Sequence, residues 1–365
     1  MFGTGIIEKI TKQLESPEKI QHVLPTVAKR TDKITVSLLR SRSYYRKMIV
    51  DDGEKRYLVY ASLYANYLKK IVFLLTMLTE NKVKVPSMLA RHKGLSSLIK
   101  NKGCYLVLEY INGERAGSNI KHKTTELIAE NIGRMHAVSA TKPGYLLAVH
   151  KKRDEITRQH EYAWQGMLKW LEKYPEFIRK LPAKQYSRWF GEKAMIFNQS
   201  GPFYLLHGDL HGGNIIIQKN GQAVFIDYDG MHYGYPGPEL FRSLMANYCR
   251  HSLEHQLLFL DTYHRYTSKE NWLLWENNMS MMAGFGILRQ INIWLTSSRM
   301  LQGKGKTEKS YKKLAQSLDY WNWLQDIIVA FPDGRGDWAS IMALYPQKNT
   351  NRVKKNHQRT GKTGG

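Results

Sequence analysis

Between residues 34 and 63 the chain alternates apolar and polar positions in runs rich in β-branched and aromatic residues: "ITVSLLR", "YYRKMIV" and "RYLVYASLY". That pattern predicts three strands. "DDGEK", with Gly53, turns the second strand back into the third. "YANYLKKIVFLLTMLTE" then has the length and the two faces of a helix. "NKVKVPSML" is extended from Pro86, and "GCYLVLEYI" (Gly103–Ile111) reads as a buried strand that "NGER" ends. From Thr124 the period lengthens. "TTELIAENIGRMHAVSA" is an amphipathic helix, and 155–197 holds two or three more, broken at Pro175 and Pro182. Two short strands, 214–218 and 223–227, are joined by "KNG" as a hairpin. From Pro238 to about Ile328 the pattern is helical again, with a basic interruption at "QGKGKTEK". The first 25 residues also read as helical.

The order implies an α+β chain with a small β-rich lobe, one helix and a larger helical lobe. The expected parts are a helical extension over 1–33, the small lobe over 34–111, the large lobe over 112–346 and a basic disordered tail over 347–365. The tail holds six Lys or Arg and no acid. A chain of 365 residues with 42% hydrophobic positions can bury a sizeable core, and 12% aromatics argue against disorder. Cys104 and Cys249 lie far apart, which predicts neither a disulfide framework nor a thiolate metal site. No apolar stretch reaches the roughly 20 residues of a spanning helix. The start lacks the apolar core of a signal peptide, so the expected location is the cytoplasm. The net charge of +24 changes the picture most. It attracts anions: nucleic acid, anionic membrane or a phosphorylated small molecule. The bases are spread along the whole chain, so charge alone does not select among these, and a solvated basic surface is the bland alternative.

Chemistry concentrates in "LLHGDLHGGNIIIQKNGQAVFIDYDGM", residues 205–231. Asp, Asn and Gly are common turn residues. Here, however, they are framed by "FYLL", "IIIQ" and "AVFI". A hairpin brings its ends together, so Asn214 and Asp227 become neighbours, with Asp209 on the loop before the first strand. Two carboxylates and an amide oxygen then form a hard-oxygen set suited to Mg²⁺, which takes few protein ligands and keeps phosphates and waters. Phosphoryl transfer needs one carboxylate to orient the acceptor hydroxyl and take its proton. It needs another carboxylate and an Asn to hold the metal. Asp209, Asn214 and Asp227 have that order and the Asp-to-Asn spacing of a kinase catalytic loop.

"HGDLHGGN" and "FIDYD" resemble the catalytic loop and the metal-binding strand end of the aminoglycoside phosphotransferase and choline kinase family. The resemblance covers roughly residues 35–330. It implies a two-lobed protein-kinase-like fold, with a small antiparallel β lobe and a larger, mainly helical lobe. "YLVLEYINGE" becomes the hinge, where backbone groups at Glu109, Tyr110 and Ile111 hold the adenine of ATP or GTP. "YGYPGPELFRSL" resembles the segment after the metal site, with Glu239 in place of the usual Asp. The resemblance makes Asp209 the catalytic base and Asn214 and Asp227 the Mg²⁺ ligands. His207 shapes the loop. His211 either approaches a phosphate or is structural, and Asp229 either assists the metal or caps the following turn.

The small lobe departs from the family. Tyr60 stands where a third-strand Lys should grip the nucleotide phosphates. The helix offers Lys69, Lys70 and Ile71 where its Glu partner should be, and no acid occurs between Glu54 and Glu80. Lys47, Arg56 or a helix Lys is then the substitute, unless a strand has been skipped or the chain is a pseudokinase. "LLRSRSYYRK" replaces the glycine-rich loop, leaving Arg40, Arg42 and Arg46 either on the phosphates or on a solvated edge. With 55 bases against 31 acids the expected acceptor is anionic, a hydroxylated small molecule or a cell-envelope glycan such as lipopolysaccharide. "YAWQGMLKWLEKY" and "LDYWNWLQD" either stack on sugars or fill the core. The charge also admits peripheral contact with anionic membrane at the inner face. The competing readings are a non-catalytic kinase-like scaffold, such as a spore-coat-like protein, and an electrostatic binder. No nucleic-acid motif is present, so no specific nucleic-acid partner is expected.

Overall fold

The computed structural model describes residues 34–42, 45–91, 104–117, 120–140, 203–246, 248–249 and 252–346. The expected N-terminal helix, the helices of 155–197 and the basic tail lie outside them. Of the described residues, 34–140, Phe203–Tyr233 and Arg242–Lys269 form one compact unit. Gly234–Phe241 and 270–346 form a second.

In the first unit, β1 (Thr35–Arg42), β2 (Tyr45–Asp51), β3 (Arg56–Ser62), β4 (Met88–Arg91) and β5 (Cys104–Glu109) make an antiparallel sheet of order β1-β2-β3-β5-β4. Period-2 alternation sorts its two faces. Met48, Val50, Val59, Ala61, Tyr105 and Val107 fill a core on one face. Tyr45, Lys47, Ile49, Leu58 and Tyr60 share the other, with Lys47 directly opposite Tyr60. In β1 the register slips between Leu38 and Arg40, a bulge at Leu39. The predicted Gly53 turn is pinned by Asp52, whose Oδ1 accepts from the backbone N–H groups of Glu54 at 3.0 Å and Lys55 at 2.7 Å. Helix α1 (Ala65–Glu80) buries Leu68, Ile71, Leu75 and Leu78 at the spacing its sequence predicts.

Three short strands escaped the periodicity. β6 (Glu114–Arg115) pairs with β9 (Ile215–Ile217), which pairs with β10 (Ala223–Phe225) in the order β10-β9-β6. β7 (Ser139–Ala140), β8 (Phe203–Leu206) and β11 (His232–Gly234) form a third sheet of order β11-β8-β7. Runs of two or three residues carry too little alternation to stand out.

Helix α2 (His122–Ala137) fixes the hairpin. Its buried Asn131 accepts from the Lys84 backbone N–H at 3.1 Å and donates to the Ala223 carbonyl at 2.8 Å. The Phe225 N–H donates to the Lys84 carbonyl at 3.0 Å, closing a three-way staple. On the far side α2 packs on α4 (Leu253–Tyr266). A Cβ at Gly133 would lie 3.0 Å from the Tyr263 carbonyl oxygen, so a larger residue there would press on the α2–α4 contact. His136 Nδ1 and the Tyr263 hydroxyl are 3.0 Å apart in the same interface.

The chain between the first and last of these helices includes α3 (Gly237–Leu244), and α5 (Lys269–Glu276) follows α4. The second unit is built on α6 (Met279–Gln302), α7 (Thr307–Ala330) and α8 (Trp338–Ala343). "QGKGKTEK" turns α6 into α7, and the buried hydroxyls of Ser298 and Ser310 meet across the pair at 2.6 Å. Trp321 and Trp323 are buried, and Trp323 Nε1 donates to the Ile341 carbonyl at 3.0 Å. "LDYWNWLQD" is therefore core rather than a sugar platform; "YAWQGMLKWLEKY" lies outside the described residues.

Asn131→Leu strands a part-buried N–H and a buried carbonyl, and is expected to lower unfolding free energy by about 1–3 kcal/mol. Urea denaturation of the two proteins measures it.

Candidate active site

The hairpin places the charged residues. Asn214 closes a 3₁₀ turn, Gly212–Asn214, immediately before β9, so it stands ahead of the strand rather than within it. The Ile226 N–H donates to the Asn214 carbonyl at 3.0 Å, which sets Asn214 beside Asp227. The Asn214 amide nitrogen donates to the Asp209 carbonyl at 2.8 Å. That bond leaves the amide oxygen as its free acceptor end. Asp227 has φ +67, a left-handed conformation that Asp adopts more readily than most residues but still at a cost.

Two residues hold the loop in place. Gly208 has φ +79, and any Cβ there would overlap the Gly230 carbonyl. The motif's glycine is thus required by a backbone crossing. His207 is fully buried, and its Nε2 donates to the Ile226 carbonyl at 2.9 Å. It ties the Asp209 loop to the strand end that leads into Asp227.

Asp209 is more than half exposed. Arg242 Nη1 lies 3.1 Å from its Oδ1 and His211 Nε2 3.9 Å from its Oδ2. The Gly213 N–H donates to His211 Nδ1 at 3.0 Å, so the ring's proton sits on Nε2, facing the carboxylate. Burial pushes the His211 imidazole below its ordinary value; Asp209 opposes this, and Arg242, His207 and Arg115 reinforce it. Arg115 donates to the Gly213 carbonyl. Arg242 lies within the "YGYPGPELFRSL" segment, but nothing in that sequence pointed it at Asp209, and Arg115, just past the "YLVLEYINGE" stretch, carried no signal either.

Lys47 Nζ lies 3.1 Å from Asp227 Oδ1. The nearly buried ammonium also sits 5.1 Å from the centre of the Tyr60 ring. Tyr60 is on β3 as its sequence position predicts, fully buried, with its hydroxyl proton held well above the ordinary range by burial and by the fields of Asp229 and Asp227. Lys47 thus reaches, from the neighbouring strand, the face on which Tyr60 stands. Arg56, Lys69 and Lys70 are not among the residues that line the cavity shared by Lys47 and Asp227. Arg56 stacks over Tyr110 at 5.1 Å and faces Asp51. Lys69 and Lys70 are exposed. Arg46 is buried rather than on a solvated edge, and donates to the Tyr45 carbonyl at 3.2 Å. The side chains of Arg40 and Arg42 lie outside the described residues.

The Asp229 carboxylate meets two tyrosines. Its Oδ2 accepts from the Tyr45 hydroxyl at 2.8 Å and its Oδ1 from the Tyr67 hydroxyl at 2.7 Å.

A cavity of about 370 Å³ opens between these groups and the strand end of β5. Glu109, Tyr110 and Ile111 line one side, Lys47, Asn214 and Asp227 another. Leu39, Ile49, Leu58 and Ile216 supply apolar walls. The Glu109 N–H is taken by the Ser87 carbonyl at 2.9 Å. Among the described residues no group of three or more His, Cys, Asp or Glu could hold a metal alone. No described helix is long and apolar enough to cross a membrane.

The fold has solved counterparts. An aminoglycoside phosphotransferase from Alicyclobacillus acidocaldarius is similar over 86% of this chain and 96% of its own, at 14% identity and TM-score 0.51. The GDP and kanamycin complex of APH(2")-IIia is similar over 83% and 98%, at 11% identity and TM-score 0.52. At such identities the likeness shows the fold alone, which is protein-kinase-like: an antiparallel β region followed by a mainly helical one. Among curated proteins nothing matches the sequence. Residues 49–272, more than half of the chain, from within β2 to the first turn of α5, match the model described as the phosphotransferase enzyme family, and the chain belongs to that family.

Proposed function

We propose that this protein transfers the γ-phosphoryl group of ATP or GTP to a hydroxyl of a small molecule or cell-envelope sugar that carries negative charge. The observation that carries this reading is the convergence of Lys47, Asn214 and Asp227 on one wall of the cavity, with Asp209 one hydrogen bond from Asn214. The base fits between the apolar walls beside Glu109, Tyr110 and Ile111, and its phosphates reach toward Lys47.

The donor set suits Mg²⁺. Asp227 Oδ1 is buried and accepts no hydrogen bond among the described residues, although Lys47 balances its charge. Together with the Asn214 amide oxygen it presents two hard oxygens, the small protein share that Mg²⁺ takes when phosphates supply the rest. When bound, the ion would neutralise and orient the nucleotide's phosphates. Lys47 then exchanges its contact with Asp227 for a phosphate oxygen. The Asp209 carboxylate would accept the acceptor's hydroxyl proton as the new O–P bond forms and the bond from the γ-phosphorus to the β-phosphate oxygen breaks, releasing ADP or GDP. His207 positions the loop from behind and takes no part in proton transfer.

Arg242 and His211 support the anionic acceptor. Both stand beside the Asp209 carboxylate, at 3.1 Å and 3.9 Å from its two oxygens. The guanidinium occupies Asp209 Oδ1 while paired with it. An acceptor whose phosphate or carboxylate engages Arg242 releases Asp209 for its task. The net charge of +24 draws such acceptors, or the anionic surface that carries them, toward the protein.

Asp209→Asn is expected to lower acceptor-dependent ADP release by roughly 10²–10⁴-fold, with nucleotide binding retained. A coupled assay with a panel of phosphorylated and carboxylated sugars measures the first, and thermal shift with ADP the second. Lys47→Met and Asp227→Ala are each expected to remove most of the thermal stabilisation given by ATP or GTP with Mg²⁺. If wild-type protein is not stabilised by either nucleotide with Mg²⁺, the scaffold reading replaces this one.

A further inference from the structure

The family's lysine–glutamate pair does two things: it aims the lysine, and it fixes the small-lobe helix against the site. Lys47 restores only the first, since its charge partner is Asp227 rather than a residue of α1. The second task falls to a different contact. Tyr45 on β2 and Tyr67 in the first turn of α1 stack face to face, with ring centres 4.7 Å apart and planes 21° from parallel. Their hydroxyls donate to the two oxygens of one carboxylate, Asp229. Asp229 sits in the 3₁₀ turn Tyr228–Gly230, two residues beyond Asp227. One carboxylate therefore joins a strand, a helix and the strained turn that aims Asp227.

We propose that the Tyr45–Asp229–Tyr67 cluster is a latch that couples the position of α1 to the Asp227 turn, replacing the absent lysine–glutamate pair. Asp229 and Tyr67 are positioning residues, since neither lies on the cavity wall that holds Lys47 and Asp227. The chemistry favours this use. Both carboxylate oxygens accept short, charge-assisted hydrogen bonds, which are stronger than neutral ones. The stacked rings leave the hydroxyls little freedom to turn away. A lysine–glutamate pair needs an acid on the helix, and α1 has none before Glu80. A tyrosine there, with the acid moved to the metal turn, makes the same connection with the charge on the opposite partner.

The inference rests on the proposed phosphotransferase site but can be read separately from it. Hydrogen exchange of the full chain without nucleotide is the first measurement. Tyr67→Phe keeps the ring stack and removes one donor. It is expected to speed exchange in the first two turns of α1 and in the 228–230 turn together, by about tenfold, while α7 is unchanged. The second measurement is ADP affinity with and without Mg²⁺. Tyr67→Phe and Asp229→Asn are each expected to weaken the Mg²⁺-dependent part about tenfold and leave the Mg²⁺-free part alone. The double variant should be no weaker than either single one, because both remove the same link. Unchanged exchange in α1, or equal losses with and without Mg²⁺, overturns the latch. Absence of any nucleotide binding in the wild-type protein overturns the phosphotransferase reading instead, and leaves the exchange result to decide the latch.

Discussion

The candidate site depends on one backbone hydrogen bond, from the Ile226 N–H to the Asn214 carbonyl. It closes a hairpin whose strands are only three residues each. So short a hairpin is not stable alone. Its surroundings supply what it lacks: β6 pairs with its first strand, β9, and Asn131 and Lys84 grip its second, β10. Ile215, Val224 and Phe225 are buried beneath. The polar residues at its end inherit that rigidity, which is why a flexible-looking run of Gly, Asp and Asn can hold charges in register.

Charge placement follows from the same geometry. A nearly buried lysine is costly unless it meets an opposite charge. Lys47 meets one in Asp227, and the left-handed backbone at Asp227 makes the approach possible. The lysine's presence on β2 instead of β3 is a small displacement. Lys47 and Tyr60 are cross-strand neighbours on one face, and adjacent strands lie about 4.8 Å apart, a distance a lysine's stem spans. What the function would require is a cation over that patch of sheet, and either strand can provide it. Moving it frees the β3 position for a large apolar ring, and the helix no longer needs an acid. Asp229 and the two tyrosines then connect α1 to the turn.

Much of this was legible in the chain. The strands of the small sheet, α1, α2 and the hairpin all follow from alternation, helical period and turn residues. Asp209, Asn214 and Asp227 are brought together because hairpin ends must meet, and the motif's spacing implies that closure directly. The β6, β7 and β11 strands were hidden by their length. Asp229 illustrates a subtler gap: a carboxylate two residues from Asp227 reads equally well as a metal assistant or a cap, and nothing local reveals two hydroxyls arriving from β2 and α1.

The sequence by itself therefore determined the class of fold, the hairpin and the three polar residues that it gathers, because those depend on neighbours within about twenty positions of one another. The tertiary structure decided which lysine faces Asp227, what Asp229 holds and which arginine stands beside Asp209. Those pairings join residues separated by between 33 and 184 positions. They are set by strand register and by how α1 packs on the sheet, and no local pattern records either.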